Sequence, residues 1–580
     1  MVDTNQKIAH MFLEMADILE IQGANRFKVN AFSRAARAIE GLAESLDDVG
    51  PDKKKLQTYD GIGEGVADRI VQFMETGKIE DHQKLLAEIP PGLLDLRRVS
   101  GLGPKTIALM WNEAGVDSLD ALKVKLKDDP NSLTKLKGLG KKKLDAIRKS
   151  IEFAAKADER VRIGVAMPMA NWFVDKLRKL DGVKAVQFAG SLRRGRETIG
   201  DLDILVAAAD KDRGAIAKAF REMEPVQEVL VAGSTKTSVR VEGNMQADLR
   251  IVDPASFGAA LMYFTGSKEH NVKLRERAIK LGMSLNEYAL TKDDKPVASN
   301  TEEDVYKALD LPWIPPELRE DRGEISLAEK DALPTLISIK DIKAELHAHT
   351  TASDGVWSIR DLANDAADRG FHTVAVTDHS KGQVQARGLN ESRLEEHIIA
   401  IREVAEAMKG KIRILAGSEV DILADGKLDY ANSLLKELDI VVASPHAALT
   451  QDPDKATKRL LKAIDNPYVT ILGHPTGRLV SRREGLKPDM KALIAASAQR
   501  GIAMEINANH YRLDLRDTHA RAAIEAGVKL AINTDAHGAA DMNELIYGIL
   551  TARRAGAAAS DVVNCMDKAD FAKWLASTRP

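Results

Sequence analysis

Ten of the 13 histidines fall after residue 340, at positions 347, 349, 372, 379, 397, 446, 474, 510, 519 and 537. Several close a short apolar run: "KAELHAHTTASDG", "HTVAVTDHS", "IVVASPHA", "VTILGHP" and "LAINTDAH", while "RILAGSEVDI" carries Glu419. Such runs predict strands covered on both faces, and their alternation with helical spacing predicts βα units and a parallel sheet. Side chains at the C-terminal ends of parallel strands converge on one rim when the sheet closes on itself. Residues 341–580 are therefore expected to form a β/α barrel whose rim carries His347, His349, His379, His446, His474 and His537 with Asp354, Asp378, Glu419 and Asp535. A lone histidine after a strand is more often structural than a ligand. Six of them with carboxylates at six strand ends are not accounted for in that way. His372, His397, His510 and His519 lack this placement and are read as ordinary.

A chain of 580 residues is too long for one core. A net charge of −3 points to no particular partner, so any nucleic-acid surface must be local. The single Cys565 excludes an internal disulfide framework and suits a reducing compartment. No basic, apolar leader opens the sequence and no apolar run of about eighteen residues could span a bilayer, so a cytoplasmic protein without membrane contact is expected.

Residues 1–160 read as almost wholly helical and contain three similar fragments: "DGIGEGVADRI" (60–70), "SGLGPKTIALM" (100–110) and "KGLGKKKLDAI" (137–147). Glycines that open a tight turn into a helix leave its first N–H groups free for a phosphate oxygen. The repeat resembles helix-hairpin-helix units, which grip the nucleic-acid backbone without reading bases. Gly61, Gly63, Gly101, Gly103, Gly138 and Gly140 would form the turns, with Lys105, Lys141, Lys142 and Lys143 beside them. Local charge agrees, since residues 101–150 carry 11 Lys and Arg against 6 Asp and Glu. A solvated lysine-rich face would account for the charge but not for the glycine repeat.

Residues 190–203 read Gly-Ser-x-Arg-Arg-Gly-x(4)-Gly-Asp-x-Asp and run into the apolar strand "ILVAA". Asp201 and Asp203 are two apart, so on a strand both point to one side and repel each other. Burying them requires cationic compensation. Asp248, in "MQADLRIVD", would add a third carboxylate from a neighbouring strand. Three carboxylates around two Mg²⁺ ions and a triphosphate make a two-metal phosphoryl-transfer site.

This segment resembles the nucleotidyltransferase superfamily, and "YFTGSKEHNVKLR" (263–275) is similar to the thumb of family X DNA polymerases. The resemblance spans essentially the whole chain and implies a multidomain fold. It comprises a helical helix-hairpin-helix N-terminal region, an α/β nucleotidyltransferase palm with an α+β thumb, and a C-terminal distorted β/α barrel of the polymerase-and-histidinol-phosphatase (PHP) family. The implied divisions are 1–85 and 86–160 (DNA-binding helices), 161–255 (palm), 256–318 (thumb), 319–340 (a linker, from the Pro-rich charged stretch "LPWIPPELREDRGE" onward) and 341–580 (PHP).

By the same resemblance, Asp201, Asp203 and Asp248 are catalytic and hold Mg²⁺ or Mn²⁺. Gly190, Ser191, Arg194 and Gly200 would face the triphosphate, and Tyr263, Phe264, Gly266, Asn271 and Arg275 the sugar, base and templating pair. Lys28, in "FKVNAFSRAARAI", would contact a 5′-phosphate. In the barrel, His347, His349, Glu419 and Asp535 would hold one metal, Glu419, His446 and His474 a second, and Asp354, His379 and His537 a third. Imidazole with carboxylate suits Mn²⁺, Zn²⁺ or Fe²⁺. The implied activities are filling of short gaps in DNA repair, with gapped or primed DNA and dNTP as substrates, and a 3′→5′ exonuclease in the barrel, carried out by a monomer. One position departs from the family pattern. Arg69 stands where members with deoxyribose-phosphate lyase activity carry a nucleophilic lysine, and a guanidinium does not readily form a Schiff base.

Two other readings compete with this one. A phosphoesterase acting on small metabolites, tethered by the N-terminal half, is disfavoured by the intact Asp201, Asp203 and Asp248 set. A non-catalytic DNA scaffold is disfavoured by complete ligand sets at two sites. If the glycine turns and their lysines grip phosphates, neutralising Lys141, Lys142 and Lys143 should flatten the log–log salt dependence of DNA binding by up to about 3, near one unit per phosphate contact. Anisotropy titrations across a salt series check this, and an unchanged slope would reduce the cluster to a solvated face.

Overall fold

Gly63 and Gly103, in extended backbone, begin the helices Glu64–Thr76 and Pro104–Ala114. Gly61 and Gly138 take up φ of +82° and +81°, which side chains resist. These turns belong to a computed structural model that describes residues 4–40, 46–59, 61–99, 102–141, 143–145, 147, 148, 151 and 160–580. Gly101 and Lys142 lie outside the described residues. The N-terminal helices pack around two apolar cores, one running from Ile8 to Ile79 and the other from Ile18 to Ile151.

The next unit is a five-stranded sheet formed by β1 (Val183–Phe188), β2 (Asp201–Ala208), β3 (Val226–Ala232), β4 (Lys236–Val241) and β5 (Met245–Val252). The spatial order is β1-β2-β5-β4-β3, and β2 and β5 are parallel. The helices Ile163–Arg178 and Asp210–Arg221 contribute Phe173 and Phe220 to its core. That same core takes in Val480 and Leu513 from the C-terminal domain.

The C-terminal domain places seven strands in parallel and in chain order: β6 (Ala344–Glu345), β7 (Thr373–Val376), β8 (Arg413–Asp421), β9 (Ile440–Ser444), β10 (Ile471–Leu472), β11 (Ala503–Asn507) and β12 (Leu530–Asn533). A parallel bridge between Ala348 and Ala536 joins the chain just beyond the first strand to that just beyond the last. The sheet is thus a nearly closed barrel. One strand face, including Leu415, Val442, Ala503 and Ala531, packs with Phe571 and Trp574 of the C-terminal helix Lys568–Ser577. With a period of two, Glu419, Glu505 and Asn533 continue that face toward the rim. The other face is covered by the surrounding helices, as the continuous apolar runs require.

Residues 319–340 do not form the expected linker. Arg319 is fully buried, the helix Glu324–Glu329 follows, and Glu320 and Arg322 bind the palm and the barrel. The Pro-rich, charged composition suggested exposure, but these charges have inward partners. Arg319 and Arg193 both clasp Glu302, at 2.5 Å and at 2.7 and 2.8 Å, and the Trp313 indole donates to it at 3.1 Å. Burial alone would raise the Glu302 carboxyl, but the two arginines hold it at about 2.

Glu302→Gln leaves two guanidiniums without their counter-charge and should destabilise the protein by about 3–5 kcal/mol. Chemical denaturation followed by tryptophan fluorescence measures this. The wild-type contribution is complete above about pH 4.5 and fades as the pH falls toward 2, so the gap between wild type and variant should narrow in acid.

Candidate active sites

In the palm, the register sets Asp203 of β2 opposite Asp248 of β5, with Asp201 opposite Gln246. Gln246 donates to Asp248 at 2.8 Å. Burial, and then the like charges of Asp201 and Asp248, push the Asp203 carboxyl up to about 7. The ionised form is costly there unless a cation joins it. Gly190, at φ +60°, turns the chain directly over this group, and a Cβ at that position would lie 2.1 Å from Asp203 Oδ2. Ser191 follows in the short helix Gly190–Arg193 and is partly exposed.

The two arginines of the motif point elsewhere. Arg193 is held by Glu302, while Arg194, the expected triphosphate contact, donates to Glu320 at 3.0 Å and to the Thr265 carbonyl at 2.7 Å. Tyr263 and Phe264 meet edge to face at 5.2 Å, and the Arg250 guanidinium covers the Phe264 ring at 4.4 Å. Asn271 donates to the Tyr263 carbonyl at 2.7 Å, and its side chain lies against the Cα of Gly266. Arg275 projects from the helix Lys268–Lys280 and is exposed. In the N-terminal region Lys28, Lys105 and Lys141 are exposed. Arg69 is ion-paired with Asp81, donates to the Gly65 carbonyl and sits over the Phe32 ring.

The barrel rim is more tightly drawn together than the palm. Among the described residues, three groups have potential ligand atoms within 4.8 Å of one another: His347, His349, Glu419 and Asp535; His349, Asp354, His379 and His537; and His379, Glu419 and His446. The palm carboxylates form no such group. Glu419 is the centre, with His379 Nδ1 2.8 Å from one oxygen and His446 Nε2 and His474 Nε2 at 3.2 and 2.8 Å from the other. His474 thus touches Glu419 but lies outside the three groups, and His379 and His349 are each shared between two groups. This differs from the expected partition of ligands.

The rim fits divalent metals. Buried atoms that lack a hydrogen-bond partner converge there: both nitrogens of His349, Nε2 of His347 and His446, Oε2 of Glu419 and Oδ1 of Asp535. Orphaned polar atoms are costly in a protein interior, and a metal relieves several at once. Burial, with His379 and His537 alongside, holds His349 at about 4, so its lone pair is available at neutral pH.

Behind the rim, carboxylates orient the imidazoles. Glu505 Oε1 lies 2.7 Å from His347 Nδ1, and Asp421 Oδ1 lies 2.5 Å from His446 Nδ1. Such partners fix ring orientation and raise ligand basicity. Sequence reasoning missed both, although Glu505 lies within the strand "AMEIN" as Glu419 lies within its own, and Asp421 follows Glu419 at strand period. Asp378 is turned away from the rim, accepting from Thr350, Ser353 and His397. His372 caps a contact to Met566, and His510 faces Glu544.

Comparison with known proteins places these features in a family. The chain matches the models for a helix-hairpin-helix domain (residues 3–79), a SAM-like helix-hairpin-helix tandem (93–152), the DNA polymerase beta thumb (260–320) and the PHP domain (345–509). It is 36% identical over 575 residues, 98% of each chain, to the protein of Bacillus subtilis (strain 168) named DNA polymerase/3′-5′ exonuclease PolX. A protein of Thermoanaerobacter sp. (strain X514), named a probable phosphatase, is 29% identical over 231 residues, 38% of this chain and 89% of its own. One from Caldanaerobacter subterraneus, also named a probable phosphatase, is 31% identical over 207 residues, 33% of this chain and 75% of its own.

If Glu419 serves two ions, Glu419→Ala should remove more bound metal than any other single rim substitution. Elemental analysis of the purified full chain checks this, with circular dichroism to confirm the fold. Metal content equal to wild type would move the metal centre elsewhere.

Proposed function

Because this chain belongs to the family X DNA polymerases that carry a C-terminal PHP domain, we propose that it fills short gaps in DNA at the palm and degrades DNA 3′→5′ at the barrel rim. The observation that carries the palm assignment is Asp203, buried against two like charges in a place that only a cation makes comfortable. Asp201, Asp203 and Asp248 would hold Mg²⁺ or Mn²⁺, and the nine rim residues three divalent ions of the Mn²⁺, Zn²⁺ or Fe²⁺ kind. Bound metals would neutralise the triphosphate, activate the attacking oxygen in the palm and generate hydroxide at the rim.

The protein's own groups do the positioning. The Gly190–Ser191 turn offers backbone N–H groups and a hydroxyl to phosphate oxygens. Tyr263 and Phe264, braced by Asn271 through the Tyr263 carbonyl, shape the sugar pocket. Arg194 must release Glu320 before it reaches a triphosphate, so nucleotide binding is tied to the contact between palm and thumb. Gapped or primed DNA is held by the hairpin glycines, Lys28 and the lysine cluster. Arg69, a guanidinium ion-paired with Asp81, supplies no Schiff-base nucleophile.

The divisions at residues 85, 160, 255 and 340 are taken as functional units, with 319–340 counted with the thumb whose core it joins. Among the described residues no helix is long and apolar enough to cross a membrane, and the proposed setting is the cytoplasm, with the protein acting as a monomer. The probable phosphatases that match the barrel favour one alternative, a phosphoesterase of small substrates, in which the palm would be idle.

Asp201→Asn or Asp203→Asn separates the two readings. On a labelled primer in gapped DNA, nucleotide addition should fall by at least about a hundredfold, as expected for loss of a metal ligand's charge, while 3′ degradation without dNTP is retained. Addition at wild-type rate would sink the palm assignment, and parallel loss of both activities would sink the independence of the sites.

A further inference from the structure

A cleft of about 560 Å³ lies between the palm and the barrel, within the size range of ligand sites. One wall is Glu197 and Thr198 from the palm with Arg160, the residue just before it, and the other is the barrel loop from Thr476 to Met490, with Arg516 and His519. By chain continuity each wall leads to one of the two sites. Thr198 precedes Gly200 and Asp201, and Arg160 Nη1 lies 3.1 Å from where a Cβ on Gly200 would sit. Thr476 follows His474 and is pinned through its N–H and hydroxyl to Asp514, at 2.9 and 2.7 Å.

The charges in the cleft do not balance. Glu197 is consumed by a two-point ion pair with Arg478, at 3.1 and 2.6 Å, and Glu484 by Lys487 at 2.6 Å. Among the described residues Arg160, Arg483 and Arg516 have no ion pair. Arg160 donates only to Thr198, at 3.1 and 2.6 Å, and Arg483 only to the Gly477 carbonyl, at 3.0 and 2.7 Å. Burial, with Arg512 adding like charge, lowers the Arg483 guanidinium to about 10. Arg483 is half-buried and Arg160 and Arg516 are exposed. Asp201 and Asp514 act on Arg160 and Arg483 from beyond ion-pair distance, so all three guanidiniums keep free donors whose forked geometry suits phosphate. The lining, Leu486 and Met490 among it, contains no Phe, Tyr or Trp ring and a single imidazole, His519, so recognition would fall chiefly on the backbone and be independent of sequence.

We propose that this cleft holds the phosphodiester backbone of a single-stranded 3′ tail that passes from the palm to the barrel rim. The proposal rests on the two-site reading above, and it adds a route by which an unpaired primer end reaches the exonuclease without leaving the protein.

The test uses the full chain with Arg483→Gln and Arg516→Glu combined, and Lys458→Glu, on an exposed helix face outside the cleft, as control. Single-encounter removal of a mismatched single-stranded tail, with heparin as trap, should fall by roughly tenfold in the double variant, and the salt slope for oligo-dT binding should flatten by about 1.4, near 0.7 for each lost single-strand contact. Gap filling on a fully paired primer and hydrolysis of bis-p-nitrophenyl phosphate should stay at wild-type rates, as should every readout in the control. Unchanged tail removal and slope would overturn the proposal. So would loss of thymidine 5′-monophosphate binding with tail removal intact, which would make the cleft a site for small phosphates. If the double variant fails to fold, Arg516→Gln, an exposed side chain without partners, must show half the change in slope. Failure of the two-site reading itself is distinct, since wild type would then neither extend nor degrade DNA.

Discussion

An alternating run of guanidiniums and carboxylates binds palm, thumb and barrel into one frame. Arg319 and Arg193 share Glu302. The neighbouring Arg194 meets Glu320, which meets Arg554, which meets Asp517, which meets Arg322. Glu302, Arg319 and Arg554 are buried and the others half-buried, so each is tolerable only because its neighbours carry the opposite sign. The chain of pairs starts in the Gly-Ser-x-Arg-Arg motif, crosses two barrel helices at Arg554 and Asp517 and ends at Arg322. The motif arginines therefore serve the architecture as well as any ligand, and the geometry of the palm is set by residues more than a hundred positions away.

The parts that were legible in the sequence are those whose signal is local. Six imidazoles at strand ends, the Asp-x-Asp pair behind a Gly-Ser turn and the three Gly-apolar-Gly hairpins each lie within a window of about a dozen residues. Chemistry and periodicity act together in such a window. What was not legible depends on partners distant in the chain. The stretch 319–340 has the composition of a linker, and nothing local reveals that Arg319 closes on Glu302 or that Arg322 reaches Asp517. The roles of Glu505 and Asp421 emerge only when neighbouring strands bring them behind His347 and His446. The engagement of Arg194 by Glu320 is likewise invisible in the motif itself.

The two sites solve the problem of concentrated charge in opposite ways. In the palm the three carboxylates form no close group and burial pushes the Asp203 carboxyl up to about 7, an arrangement that would admit ions together with an incoming polyanion. At the rim, nitrogens and oxygens are already in close array, buried and fixed from behind, an arrangement that would retain ions between turnovers. Loose ligands suit ions that arrive with substrate, and preset ligands suit resident ones.

Val480 and Leu513 lie in the core of the palm, and Leu550 packs over Gly195. The hydrophobic interior of the palm, begun near residue 163, is thus completed by side chains that leave the ribosome more than three hundred residues later. Until they arrive, a newly made palm exposes part of its apolar interior, the condition in which nascent chains associate wrongly or recruit chaperones. Deleting the barrel would make that transient state permanent, so a polymerase half shed of its exonuclease would first have to replace the seam with polar residues.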